Sequence, residues 1–265
     1  MTTPDQDPIH IGRVALTVHD LAGVGAYYEE VVGLERLSGD REGTVLGAGG
    51  RPLLELRRDR AARRRSPREA GLFHTAFLLP SRDALGRWIG QAITAQTPVQ
   101  GLSDHLVSEA VYLADPEGNG IEIYADRPRE DWIWQNGTVE MVTEPLDVAD
   151  LAAAATGPWQ GAPAGTIIGH VHLQVGAVPE AEAFYRDRIG LDVTAHYPGA
   201  TFLSSGGYHH HLAANIWNSR GAGQRQMPST GLSEMAFVLR EGARFPDPGE
   251  GFADPWGTPL RFLKA

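Results

Sequence analysis

Three residues able to bind a metal stand where related segments of the same chain carry something else. The stretch IGHVHLQV from Ile168 repeats IGRVALTV from Ile11 at an offset of 157 positions that holds through the following helix, and His170 occupies the place of Arg13. GLFHTAFLLPS from Gly71 returns as GLSEMAFVL from Gly231, so His74 is replaced by Glu234. DPEGNGIEIY from Asp115 returns as DPWGTPLRF from Asp254, so Glu122 is replaced by Arg261. Ligand-type groups kept in some copies of a duplicated unit and lost in others point to one working metal site and one retired site. With no cysteine in the chain, any metal must be held by nitrogen and oxygen, and disulfide and thiol chemistry are excluded.

These residues must be positioned by four strand-helix-strands units. The first has a strand at Ile11 to Val18, a helix from about Leu21 to Val32 capped by Asp20, and Gly-punctuated strands through Arg58. The second opens at Phe73; Ser81 caps a helix holding Leu85, Trp88, Ile89 and Ile93, and further strands follow through HLVSEAVYLAD and GNGIEIYAD. The third starts at Ile167 and repeats the first, its helix ending at Gly190. The fourth is truncated, because REGARFPDPGEG is too rich in Gly and Pro for the expected helix. Between the halves, residues 127 to 164 carry Trp132, Trp134, Trp159 and an Ala-rich stretch, which reads as a packed connector with a short helix. DPEGNG at Asp115 to Gly120 reads as a tight turn, since glycines without a following helix do not cradle phosphate.

Composition narrows the function classes. A formal charge of −10 disfavours a nucleic-acid surface. The one basic run, Arg57, Arg58, Arg60, Arg63, Arg64 and Arg65, reads as a solvated loop. The N-terminus lacks a basic and apolar leader and no apolar run reaches spanning length, so a cytoplasmic protein without a membrane partner is expected. A homo-oligomer is compatible with the sequence but not demanded by it.

The order of GHVHLQV, FY…GLD and SDHLVSEAVYLADPEGNGIEIY, recurring over almost the whole chain, resembles the vicinal oxygen chelate superfamily, home of glyoxalase I and the extradiol ring-cleaving dioxygenases. Within it the chain is most similar to two-domain, catechol 2,3-dioxygenase-like proteins. The resemblance implies an α+β fold of four βαβββ modules forming two glyoxalase-like domains, the fourth module truncated: residues 1–128 with modules one and two, a connector at 129–164, and residues 165–265 with modules three and four. Each module then contributes half of a sheet-lined cup, and two modules together enclose a metal.

Strand alternation puts the candidates on one face. His170, His172 and Gln174 oppose Val171, Leu173 and Val175; Glu122 and Tyr124 oppose Ile121 and Ile123; His74 sides with Ala76 against Phe77. If modules pair in sequence order, the first pair offers Glu55, His74 and Glu122 beside Arg13, which cannot coordinate, and the second offers His170, Glu234 and Arg261. If modules two and three pair, the set is His74, Glu122 and His170, two imidazoles and one carboxylate, as in non-haem Fe(II) oxygenases. The second arrangement is favoured, with Fe(II) as cofactor and Mn(II) as the other metal suited to the ligands.

The resemblance also assigns roles. A Tyr ten residues before the ligand Glu hydrogen-bonds the substrate oxygen in extradiol enzymes, and Tyr112 holds that position. A His on the last strand of the unit giving the first His ligand acts there as acid and base. YHHHLAANIW fills this place, and alternation puts His209 and His211 on one face and His210 on the other; His211 is preferred, then His209. His105 and His172 are candidates for substrate contact or for a supporting hydrogen bond, and Asp104 either orients a ring or caps a turn. The expected activity is extradiol cleavage of a catechol-like aromatic diol with O2. The alternatives are a glyoxalase-type isomerase or lyase, whose sites usually have four protein ligands, and a non-catalytic protein that binds a small aromatic molecule.

Overall fold

Duplication in the sequence is carried into backbone detail. The computed structural model describes residues 3–241, 243 and 252–265. The first unit is β1 (Ile9–Val18), α1 (Leu21–Tyr27), β2 (Glu35–Gly39), β3 (Gly43–Ala48) and β4 (Arg51–Arg58). The second is β5 (Gly71–Leu78), α2 (Arg82–Ala95), β6 (Gly101–Asp104), β7 (Ser108–Ala114) and β8 (Gly120–Asp126). A connector holds β9 (Trp134–Gln135), β10 (Thr138–Val139), β11 (Glu144–Pro145) and α3 (Val148–Ala153). The third unit is β12 (Ile167–Gln174), α4 (Val178–Phe184), β13 (Asp192–Tyr197), β14 (Ala200–Ser204) and β15 (Leu212–Asn215). The fourth contributes β16 (Gly231–Leu239) and β17 (Leu260–Lys264). The stretch expected to lack a helix, 240–251, lies largely outside the described residues.

α1 and α4 both widen into a π turn, at Tyr28–Val32 and Tyr185–Ile189, and both stop at a left-handed glycine, Gly33 and Gly190. The tyrosine opening each turn donates to the Asp of the next unit's DP turn, Tyr28 to Asp115 (3.4 Å) and Tyr185 to Asp254 (3.1 Å). Asp115 also accepts from the backbone N–H groups of Glu117 and Asn119. The DPEGNG motif is thus a turn whose carboxylate ties a strand pair to the preceding helix.

The units do not pair in sequence order. One sheet runs β17-β16-β1-β4-β3-β2, joining units one and four; the other runs β11-β6-β7-β8-β5-β12-β15-β14-β13, joining units two and three. At the second seam β5 and β12 are antiparallel, with His172 opposite His74 and His170 opposite Ala76. The helix-facing sides of both sheets share one apolar core that includes Leu16, Leu54, Phe77, Ile123, Val171 and Phe237. Trp88 of α2, fully buried there, donates to the Val31 carbonyl of unit one and so couples the two layers. Of the basic run, Arg57 and Arg58 lie in β4 as the strand reading had them, while Arg63 pairs with Glu69 and Arg65 donates to the Leu72 carbonyl, so the run is not the solvated loop expected. Among the described residues no helix is long and apolar enough to cross a membrane.

Candidate metal centre and active-site cavity

Neighbouring strands β8, β5 and β12 bring Glu122, His74 and His170 to one point. Parallel pairing of β5 with β8 sets His74 beside Gly120 and Ala76 beside Glu122, and the β5–β12 seam adds His170. One donor atom from each residue lies within 4.8 Å of the others, and all three residues are buried. Glu122 Oε2 is 2.9 Å from His74 Nε2 and 3.1 Å from His170 Nε2. Two donors each about 2.1 Å from a cation, at right angles, stand roughly 3 Å apart. His74 Nε2 is buried and makes no hydrogen bond despite its closeness to Glu122. A buried nitrogen left without a partner is costly, and a shared cation is what would satisfy it.

Electrostatics suit the same use. Burial lowers His170 to about 4, only partly opposed by Glu122, so the ring is neutral near pH 7. Burial alone would raise the Glu122 carboxyl, but His170 and His74 beside it outweigh this and hold it well below the usual range. Neutral imidazoles and an ionised carboxylate are the forms that bind metals.

His170 Nδ1 meets Tyr124 Oη at 3.3 Å, Tyr124 meets Tyr208 Oη at 2.7 Å, and Tyr208 donates to Asp126 at 3.1 Å. This chain orients the ring from behind. It passes a bulge at Gly169, between the paired residues Ile168 and His170. A Cβ at Gly169 would lie 1.7 Å from Tyr124 Oη. Gly169→Ala is therefore expected to push Tyr124 off His170, weakening metal binding about 10-fold or more and stability by about 1–3 kcal/mol; metal titration and thermal melting would check this.

The three residues form the floor of a cavity of about 540 Å³ whose walls include Phe73, Phe202, Tyr197 and Trp217, with connector residues 138–143 along one side. Tyr112, directly opposite Glu122 on β7, reaches the cavity and meets His105 Nε2 at 2.7 Å. His105 Nδ1 lies 2.5 Å from the Val142 carbonyl, which can only accept. His105 therefore carries its proton on Nδ1, and its Nε2 accepts from the Tyr112 hydroxyl. Burial, with Glu122 nearby, raises the Tyr112 phenol well above its ordinary value, so the hydroxyl keeps its proton. His172 also lines the cavity; its Nε2 accepts from Asn215 at 2.9 Å, the amide being oriented by the Trp217 backbone N–H on its oxygen.

A family model described as the Glyoxalase/Bleomycin resistance protein/Dioxygenase superfamily matches residues 10–123 and 167–241. The chain belongs to this superfamily. It is similar to a protein of Bacillus subtilis (strain 168) named catechol-2,3-dioxygenase, with 40% identity over 245 residues covering 90% of this chain and 85% of the relative. Among solved structures, an E144Q mutant of glyoxalase I from Zea mays aligns with a TM-score of 0.57 at 15% identity, covering 98% of this chain and 95% of that one. The cppA protein from Streptococcus pneumoniae aligns with a TM-score of 0.54 at 15% identity, covering 97% and 99%. At such identities these two structures speak for the fold.

In this superfamily member the other sheet carries the counterparts of the three floor residues, and they are paired with one another. Arg261 meets Glu234 at 3.1 Å, Arg13 lies 3.5 Å from Glu55 and 3.9 Å from Glu234, and Arg57 meets Glu55 at 2.7 Å. Cations of the side chains themselves stand in this second cup. Glu55, the carboxylate of the sequential alternative, is part of that cluster and belongs to the sheet without His74 and Glu122.

The expectation for the histidine run needs correction. Residues 205–211 are not in a strand: they form the loop between β14 and β15, so alternation gives no register there. His210 lines the cavity, its ring 4.0 Å from that of His170. His211 points away, buried against the N-terminal segment, with Nε2 3.3 Å from the Pro4 carbonyl and Nδ1 3.1 Å from Ser204 Oγ. His209 is fully buried behind His210. Asp104 caps the turn by accepting from the Leu106 N–H and pairs with Arg127, while the Val142 carbonyl holds His105.

Proposed function

We propose that this chain is an extradiol dioxygenase that cleaves a catechol-like aromatic diol with O2, using a divalent metal held by His74, Glu122 and His170. The observation carrying this reading is the convergence of two imidazoles and one carboxylate on the floor of a cavity with aromatic walls. This donor set, with positions left open, is the one associated with non-haem Fe(II) oxygenases. Fe(II) is the metal we assign, with Mn(II) the other ion suited to the same donors. The name of the Bacillus subtilis relative agrees with this reading. Glyoxalase-type sites usually have four protein ligands, whereas the ligand-type group found among the described residues has three.

Bound Fe(II) would supply adjacent binding positions for the diolate and for dioxygen. The protein supplies the rest. Because the Tyr112 proton is committed to His105, the phenol oxygen is free to accept a hydrogen bond from the substrate hydroxyl and so orient the ring. His210, with Phe202 at its edge and its charged form disfavoured by burial, is placed to take the hydroxyl proton as a neutral base and to return it later. Phe73, Trp217 and Tyr197 give the substrate an apolar wall and limit access of water.

The test is anaerobic reconstitution with Fe(II), addition of catechol and ring-substituted catechols, then oxygen. We expect one O2 consumed per diol and a yellow ring-opened semialdehyde. No product from any member of the panel, in protein shown to hold Fe(II), would overturn the assignment.

A further inference from the structure

Behind His210 lies a hydrogen-bonded pair that the reaction as described does not use. His210 Nδ1 and His209 Nδ1 are 2.7 Å apart, and His209 Nε2 is 3.0 Å from Asp126 Oδ1. We propose that Asp126 and His209 are positioning residues that hold His210 as the tautomer protonated on Nδ1, leaving its Nε2 lone pair for the substrate. This rests on the dioxygenase reading of the cavity.

The assignment follows from donors and acceptors alone. A carboxylate only accepts, so His209 must carry its proton on Nε2 to bond Asp126. Its Nδ1 is then an acceptor, and the short contact between the two Nδ1 atoms needs a proton that His210 alone can give. The opposite assignment would place the bare His209 Nε2 against the Asp126 carboxylate at 3.0 Å, two acceptors facing each other. His209 has little freedom to escape this. Its ring packs against both Tyr208, at 4.0 Å, and the connector's Trp132, at 5.1 Å, which also touch each other, with the Arg129 guanidinium over both of those rings. Asp126 is held in turn by the Tyr208 hydroxyl. The same carboxylate oxygen therefore ends two chains, one reaching His170 through two tyrosines and one reaching His210 through a histidine. A mere space-filling role for His209 would require neither the short contact nor the aligned carboxylate.

The experiment is long-range ¹H–¹⁵N NMR of ¹⁵N-histidine-labelled, metal-free protein, which reads the protonated nitrogen of each ring. In the wild type we expect His210 protonated on Nδ1 and His209 on Nε2. In His209→Phe, which keeps the ring stacking but removes both nitrogens, and in Asp126→Ala, His210 is expected to move toward Nε2–H. With Fe(II) and catechol, kcat is expected to fall about 100-fold, the low end for a misplaced acid-base group, with KM within a few-fold. An Nε2–H His210 in the wild type, or an unchanged Nδ1–H in either folded variant, overturns the proposal; His209→Phe carries the test if Asp126→Ala does not fold. Because the NMR reading needs neither metal nor substrate, expected tautomers in a wild type that cleaves no catechol would overturn the dioxygenase reading instead.

Discussion

His170→Ala is expected to lose stoichiometric metal binding, as are His74→Ala and Glu122→Ala, while Glu234→Ala keeps it. Disturbing a residue that only orients a metal ligand costs roughly 10–100-fold in affinity, so removal of a donor should exceed the upper end of that range. The His170 variant is the most informative of the set. His74 and Glu122 belong to one unit, and a site built within the first half of the chain would use both of them and not His170. The β5–β12 seam places His170 Nε2 3.1 Å from Glu122 Oε2, the same carboxylate oxygen that His74 Nε2 approaches at 2.9 Å. Glu234, the counterpart of His74, is engaged by Arg261 and Arg57 instead, so its loss should lower the melting temperature without altering metal content. Metal analysis after exhaustive dialysis against a weak chelator would decide. Full occupancy in His170→Ala would show that the two halves of the chain do not share a site.

The residues that could be read from the sequence are those on regular strands, where side-chain direction follows position. Glu122 and Tyr124 on β8, and His170 and His172 on β12, keep the two-residue period, so their common face was visible once the apolar partners Ile121, Ile123, Val171 and Leu173 were assigned to the core. The choice between Arg13 and His170 was visible for a different reason: a guanidinium has no lone pair to offer a cation. His210 was not legible. Two glycines with positive φ, Gly206 and Gly207, open the loop that carries it, and across such a loop parity has no meaning. The available signal was that GG pair, which marks the end of β14 more strongly than the three histidines mark a strand. Phe73 shows a second limit. It is skipped in the pairing of β5 with β12, where His172 faces His74 and Leu173 faces Leu72, so Phe73 and His74 both reach the cavity. The partners of His209 and His105, Asp126 and the Val142 carbonyl, are equally invisible in one dimension, because each is brought by a different segment.

Gly120→Ala is expected to cost both stability and metal, and the comparison with Gly118→Ala separates two reasons for a glycine within one turn. A Cβ at Gly120 would stand 1.9 Å from the Phe73 carbonyl oxygen, 3.0 Å from its carbon and 3.1 Å from His74 Cβ. Those neighbours are mainly backbone of β5, paired in parallel with β8 at this point, and backbone cannot swing aside as the end of a side chain can. Relief requires the two strands to separate where His74 and Glu122 must converge. The loss of stability should therefore reach or exceed the about 1–3 kcal/mol typical of overpacking, and metal affinity should fall at least about 10-fold, as when a ligand's support is disturbed. At Gly118 the situation is reversed: φ is +83°, a conformation an L side chain rarely adopts, but no atom lies within 4 Å of the added Cβ. That substitution should cost only the roughly 1–2 kcal/mol of a left-handed alanine and leave the metal site intact. Thermal melting paired with metal titration of the two variants gives the answer, and equal metal affinity in Gly120→Ala and wild type would mean that close approach of β5 and β8 does not set the distance between His74 and Glu122.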